Sequence, residues 1–436
     1  MREAAEAAAA LTVRGQRLSW SDQRPLTADL EQQTMHDPVA AWQQLLTNRQ
    51  LTDDPQWFTP QLAHLPDPLQ MVDAAKGARR LIAALDGHER VHVFGDFDAD
   101  GVTATAILVE GLTAAGLDVS WEVPHRVADG HGIAIDSVRQ QVAAGCRVGI
   151  SCDTGITCFQ AAAEARALGM DLIITDHHLP ATDGGERLPD AFAILNPARA
   201  ECGFADRELC GCGVAFYLLS AMWRLLREES RPPQYRLKNL LDRVAVATIA
   251  DMMDLVGINR ILVFHGLAML QNSPSPGMAA LLKVANRDPS KPIRTKTVSF
   301  DIAPRINAAG RMEHGDLAVR LLLSRSASEA ELLAEEIDAL NQRRREVEAA
   351  IHKEAAARLK SGGVMAAYGE AWHPGVVGLV AGRVARKTER PAAIGYIDEE
   401  EIIHLSLRGA AGFHIQQLLS SCSDLLNRFG GHAGAG

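Results

Sequence analysis

The sequence predicts an α/β protein: a mostly parallel sheet domain, a long connecting helix, and then a smaller α/β domain. Three observations carry this. From about residue 76, short apolar stretches alternate with polar turns and Ala-rich segments, the pattern of a parallel sheet with helices on its faces. Between 330 and 358, Leu333, Ile337, Leu340, Val347 and Ile351 recur at helical spacing opposite a face dense in Glu and Arg. Beyond 359, "VMAAYG", "GVVGLVAGRVARKT" and "PAAIGYID" resume the alternation of strand and helix.

Taken in order, residues 1–75 read as a wrapping extension without evident chemistry. Residues 76–327 form the first domain. In it "RVHVFG", "RVGISCD", "DLIITDHH" and "DAFAILNP" are strands, with "TATAILVEGLTAAG" and "CFQAAAEARALG" as helices between them. Residues 328–358 are the connecting helix, read as a rigid spacer, and 359–436 the second domain.

Composition bounds the function without fixing it. Hydrophobic residues make up 47% and charged residues 22% of 436 positions, the balance of a folded globular chain. No apolar run approaches the roughly 20 residues of a membrane helix. The N-terminus carries Glu3 and Glu6 where a secretory leader would be basic. Seven scattered cysteines fit a reducing cytoplasm better than a disulfide framework. A net charge of −10 argues against coating nucleic acid through bulk positive field. An enzyme gripping a strand end in one local groove remains open, because carboxylates that bind cations are neutralised by them.

The chemistry-bearing residues cluster at strand ends, where parallel sheets place their ligand crevice. "GDFDADG" puts Asp96, Asp98 and Asp100 after the first strand. Asp153 ends the second, Asp176, His177 and His178 end the third, and "VAVATIADMMDL" delivers Asp251. Carboxylates gathered in one cleft would raise one another's pKa, and divalent cations remove that conflict. Oxygen-rich ligation with one or two imidazoles suits Mn²⁺ or Mg²⁺. His92, within the first strand, reads equally as a further ligand or as a core histidine. Cys202, Cys210 and Cys212 lack the spacing of a zinc site and read as buried residues near a glycine turn.

"GDFDADG", "CDTG", "TDHH" and "ADMMDL", in this order, resemble the four motifs of the DHH phosphoesterase superfamily. "PHR" with "DGHG", "LCGCGVAF", "RINAAGR" and "WHPGVVGLVAGRV" are similar to its RecJ branch, single-strand-specific 5′→3′ exonucleases. The resemblance runs from about 90 to the last residue. It implies a metal-dependent exonuclease that hydrolyses single-stranded DNA from a 5′ end to 5′-mononucleotides in repair and recombination. It implies two ions, Mn²⁺ or Mg²⁺, held by Asp96, Asp98, Asp100, Asp153, His177 and Asp251. His92 falls where some members carry a metal-binding histidine. His178 would face the scissile phosphate, with Asp176 orienting the histidines.

A terminal phosphate carries more charge than an internal one, so arginines can select it. The candidates are Arg126, Arg305, Arg311 and Arg408, with Asn307 and Ser406 adding hydrogen bonds. His373 in "HPGVVG" and His432 in "GGHAGAG" belong to the stretch resembling the DHH-associated C-terminal domain. A groove between the domains would admit a single strand and exclude a duplex. Aromatics are 5% of the chain, so backbone contacts should dominate over base contacts. The chain stops at "GGHAGAG", where relatives continue into a helix and an oligonucleotide-binding barrel. This predicts a C-terminally truncated, monomeric cytoplasmic enzyme, with a single-strand-binding protein or helicase as partner. The competing readings are a phosphodiesterase for short oligonucleotides or cyclic dinucleotides, and a non-catalytic scaffold. Every expected ligand position is filled, which weighs against the scaffold.

Overall fold

Five strands form one parallel sheet in the order β2-β1-β3-β4-β5. They are β1 Arg90–Phe94, β2 Asp118–Glu122, β3 Cys146–Cys152, β4 Asp171–Thr175 and β5 Ala193–Leu195. The computed structural model of the protein describes residues 12–13, 16–17, 47 and 57–436, apart from 127–128, 183, 205–206, 360–362, 411 and 432–433. Residues 1–61 and 62–436 are two separate units. In the first, Thr12–Val13 pairs antiparallel with Gln16–Arg17.

The inner strands are buried on both faces and read as mostly apolar runs, whereas edge strand β2 is only part-buried and alternates polar with apolar residues. Val91, Val93, Val148, Ile150 and Ile173 enter one core with helices α1 (Ala74–Asp86), α2 (Ala99–Ala115) and α5 (Gly211–Glu228). Phe94, Leu172 and Ile174 enter the opposite core with α3 (Ile135–Ala143) and α4 (Phe159–Ala167). Helix α2 is buried almost all round, which explains why its sequence is apolar rather than amphipathic.

The compact unit begins at Leu62, earlier than the extension expected to run to residue 75. Leu62, Leu65 and Leu69 pack on the main core, and Met71 and Ala74 are inside it. Prolines at 66 and 68 break any regular apolar period there, so the sequence pattern hides the contact.

Helices α6 (Leu241–Ala250), α7 (Gly257–Asn272), α8 (Pro276–Val284), α9 (Ala303–Met312) and α10 (Asp316–Leu323) build a further, helical core. Helix α11, Ala327–Arg358, then runs about 48 Å at 1.5 Å per residue. Ser326 caps it, its hydroxyl accepting from the Glu329 amide at 3.4 Å. Its first half gives Leu333 and Ile337 to the helical core. Its second half gives Ile351 and Ala355 to another core, shared with α12 (Pro374–Thr388) and the second sheet. One helix therefore serves two cores. The second sheet is three-stranded: β6 (Met365–Gly369) pairs parallel with β7 (Ala392–Ile397), and β8 (Ile403–Arg408) pairs antiparallel with β7. All seven cysteines are free, and no helix among the described residues is long and apolar enough to cross a membrane.

Candidate metal centre

Strand order 2-1-3-4-5 reverses direction between β1 and β3, and open α/β sheets bind ligands outside the strand C-termini at such a switch point. The acidic residues stand there. Asp96 and Asp98 follow β1, Asp153 follows β3 and Asp176 follows β4. Asp251 arrives from the helical side, as the residue ending α6.

Close approach at this point requires glycine. A Cβ at Gly211, where α5 begins, would lie 2.5 Å from the Asp153 Cβ, and one at Gly101 would lie 2.5 Å from the Asp96 Cβ. With both positions bare, the helix N-termini reach the carboxylates. Asp98 caps α2, Oδ1 accepting from the amides of Asp100 and Gly101 at 2.9 and 3.1 Å. Asp100 accepts from the Gly211 and Cys212 amides at 2.7 and 2.8 Å.

Three overlapping groups could each hold an ion: Asp96 with Asp98 and Asp153, Asp153 with His177 and His178, and Asp100 with His177 and Asp251. His177 Nε2 lies 3.2 Å from Asp153 Oδ1, 3.7 Å from Asp251 Oδ2 and 4.0 Å from Asp100 Oδ2. Burial raises the carboxyls of Asp96 and Asp100. Burial, then Asp100, Asp98 and Asp96, push Asp153 well above the carboxylate range. Asp251 is pushed up to about 7, by burial first and then by Asp100 and Asp98. Asp96 Oδ1 and Asp153 Oδ1 are buried without a hydrogen-bond partner. Buried acceptors are almost always satisfied, so these two orphans and the crowded negative charge fit a cation.

Asp176 sits behind this cluster. Its Oδ1 accepts from the His177 and His178 amides at 2.7 and 3.1 Å and pairs with His178 Nδ1 at 2.8 Å. Its Oδ2 accepts from the Ile156 amide at 2.9 Å. Burial alone would raise this carboxyl, but the hydrogen bonds from His178 and Ile156 hold it below the usual range. The same bond to Asp176 pushes His178 up to about 9, leaving an imidazolium beside the carboxylates.

An arginine cluster adjoins the carboxylates. Arg126 stacks on Phe97 at 4.4 Å and feels both Asp98 and Asp96. Arg311 donates to the Gly375 carbonyl at 3.1 Å. Burial, followed by Arg126, pushes it down to about 9, with Arg344 and Arg408 adding to the shift and Asp98 opposing it. Arg408 donates to Ser406 Oγ at 3.2 Å. A Cβ at Gly378 of α12 would lie within 3.2 Å of both. Helix α9 and the α12–β8 side thus meet at these guanidinia, and a Cβ at Gly375 would collide with the Arg311 carbonyl.

Two expectations are corrected. His92 does not join the carboxylates: its Nδ1 pairs with Ser120 at 2.9 Å and its Nε2 lies 3.3 Å from Glu122, both on neighbouring β2. It is buried in mid-strand, so its ring is aimed along the sheet rather than off the strand end. Arg305 is not at the phosphate cluster: it is buried and tied to Asp338 at 2.8 Å and to the Asp301 carbonyl at 2.6 Å, fastening α9 to α11. Asn307 turns Oδ1 to the Ala99 amide at 3.0 Å, beside the Asp98 cap. His373 caps α12, Nδ1 accepting from Gly375 at 3.1 Å. His432 lies outside the described residues. Cys210 caps α5 and contacts Thr248 at 3.6 Å, a structural role.

Sequence reasoning missed two neighbours of the site. His131 of "DGHG" lies 3.7 Å from Asp96 Oδ1 and 4.5 Å from the Phe97 ring. Arg344, an interruption in the apolar face of α11, adds charge to the arginine cluster while pairing with Glu348 at 2.9 Å. The motif held the first. Nothing in the helix pattern distinguished the second from a solvated arginine.

Residues 90–248 match the model of the DHH family, N-terminal domain, and 361–436 that of the DHHA1 domain. The crystal structure of exonuclease RecJ bound to manganese superposes with a TM-score of 0.73 at 34% identity, covering 86% of this chain and 91% of that one. The chain belongs to the RecJ family. RecJ in complex with Mn²⁺ from Thermus thermophilus gives a TM-score of 0.76 at 32% identity over 89% of this chain and 55% of that one. Among curated RecJ relatives, the single-stranded-DNA-specific exonuclease of Salmonella typhimurium is 39% identical over 79% of this chain and 62% of its own length. That of Bacillus subtilis is 38% identical over 84% of this chain and 45% of its own. The chain thus spans about half to two thirds of these RecJ proteins. Solved RecJ structures hold Mn²⁺ or Mg²⁺, and this chain has acidic and histidine groups positioned to hold metal.

Proposed function

We propose that this chain is a divalent-cation-dependent exonuclease that hydrolyses single-stranded DNA from its 5′ end to 5′-mononucleotides. The observation that carries the reading is the adjacency of two opposite clusters, with Arg126 stacked on Phe97 and in the field of Asp96 and Asp98 while also pressing on Arg311 and Arg408. One cluster suits cations and the other a phosphate.

Asp96, Asp98, Asp100, Asp153, His177 and Asp251 would hold the ions. Two bound Mn²⁺ or Mg²⁺ would supply Lewis-acid activation for phosphodiester hydrolysis. The chain's own residues do the rest. His178, held as imidazolium by Asp176, offers a positive donor to charge growing on phosphate oxygens. Arg126, Arg311 and Arg408 with Ser406 would bind the terminal phosphate, whose extra charge relieves their mutual repulsion. The 5′-end polarity follows from that pocket.

Strands of this kind are presented in cells by helicases and single-strand-binding proteins, the partner classes this reading implies, with the cytoplasm as its compartment and a monomer as the acting form. Incubation with Mn²⁺ and labelled 30-mers bearing 5′-phosphate, against dinucleotides and cyclic dinucleotides, tests it. Mononucleotides released successively from the 5′ end support the reading, whereas turnover confined to dinucleotides replaces it with the short-substrate phosphodiesterase. Hydrolysis equal in the Asp153→Ala protein would belong to a contaminant.

A further inference from the structure

Helix α6 ends in a capping arrangement normally closed by glycine. The Met252 amide donates to the Ile249 carbonyl at 3.2 Å and the Met253 amide to Thr248 at 3.1 Å. This is the paired bonding in which the residue after the C-cap takes left-handed φ. Met252 has φ +59. The other described non-glycine residues with positive φ are Asp, His, Ser, Asn or Glu, so Met252 is the one apolar side chain among them. It is also 77% exposed. A strained backbone is normally repaid by packing, and here the side chain is left mostly to solvent.

A second exposed apolar side chain also directly follows a residue of the cluster. Leu179, directly after His178, is 79% exposed. Met252 directly follows Asp251, and Asp251 Oδ2 lies 3.7 Å from His177 Nε2. The cluster opens to solvent on this side, where the His178 and Asp251 side chains are 59% and 31% exposed. Two exposed apolar side chains therefore each adjoin, in sequence, a solvent-reached residue of the cluster.

We propose that Met252 and Leu179 form an apolar rest for the nucleobase beside the phosphate presented to the carboxylate–imidazole cluster. This rests on the single-strand nuclease reading and adds base contact to a site otherwise built for backbone. A thioether lies well against an aromatic ring and is indifferent to its edge pattern. The rest therefore holds any base and confers no sequence preference. Glycine at position 252 would suit the left-handed φ better but would offer a base no side chain to rest on.

The test is a binding cycle with Mn²⁺ and a 5′-phosphorylated hexathymidylate carrying hydrolysis-resistant phosphorothioate links, intact or abasic at its first two nucleosides. Removing the bases should weaken binding by the parent protein by about 3- to 10-fold. In Met252→Gly and Leu179→Ala that loss should shrink towards none. Met252→Gly should melt at the same temperature or higher, since glycine suits the cap, which separates the effect from misfolding. An abasic penalty absent in the parent, or undiminished in the variants, overturns the proposal. Failure of the nuclease reading looks different: the unmodified oligomer is bound but not cut, while the base penalty stays readable.

Discussion

The His177 Nε2 and Asp153 Oδ1 atoms lie 3.2 Å apart, although one follows β4 and the other β3, and the carboxyl oxygen has no hydrogen-bond donor. A buried aspartate beside an imidazole would ordinarily settle into a hydrogen bond. Here burial, and then Asp100, Asp98 and Asp96 crowding the same space, push Asp153 towards its neutral form. The arrangement is costly to the bare protein and becomes favourable once positive charge occupies it.

Cation binding should therefore stabilise the fold. Adding Mn²⁺ at about 100-fold over its dissociation constant should contribute about 2.7 kcal/mol, seen as a rise in melting temperature by scanning fluorimetry. Chelation should reverse it. Asp153→Ala should flatten the response. His92→Gln should leave it, because His92 faces Ser120 and Glu122 rather than the cluster. A response lost in the His92 variant and kept in the Asp153 variant would reverse these assignments.

Asp176 should matter for rate more than for cation binding. Its oxygens are occupied by the amides of His177, His178 and Ile156 and by the His178 ring. Asp176→Asn removes the charge that keeps His178 protonated and turns an amide group against donors. Loss of such a supporting carboxylate typically costs 10- to 100-fold. Single-turnover cleavage should fall by about that factor, while the Mn²⁺ melting shift persists.

Most of the carboxylate cluster was legible in the chain because its residues follow apolar strands in one parallel sheet, and such strand ends converge by topology alone. Asp96, Asp153 and His177 needed no side-chain detail to be grouped. His92 was ambiguous because a strand residue two positions from its end can point along the sheet or beyond it, and the deciding partners, Ser120 and Glu122, sit on a strand reached through α2. Arg305 and Arg311 share one motif, yet only the folded arrangement brings Asp338, on α11, to claim the first. Met252 lies in the motif that delivers Asp251, and the sign of its φ cannot be read from an apolar residue type.

Arg311 should be a selectivity residue with a stability cost. Burial and three neighbouring guanidinia lower its pKa, so Arg311→Ala relieves repulsion in the free protein. The melting temperature should hold or rise. The preference for 5′-phosphate over 5′-hydroxyl strands, read as the ratio of kcat/KM values, should fall by about 10-fold or more, since a charge-assisted contact is worth roughly 1.5–3 kcal/mol. A preserved ratio would place the terminal phosphate elsewhere.

Arg305, six positions earlier on the same helix, should behave oppositely. Its guanidinium bonds Asp338, the Asp301 carbonyl and, at 3.5 Å, the Val284 carbonyl. These contacts tie α9 to the first half of α11. Arg305→Ala strands Asp338 in a largely buried position and opens a gap, a loss of about 3 kcal/mol. Asp338 keeps some exposure, so the figure is an upper value. Urea denaturation should show the lowered midpoint with m unchanged, and Asp338→Asn should recover part of the loss by removing the stranded charge. The 5′-phosphate preference measured well below the new melting temperature should stay as in the parent. If Arg305→Ala instead erased that preference with stability intact, its guanidinium would have to leave Asp338 when substrate binds, and α9 would be a moving element rather than a fixed wall.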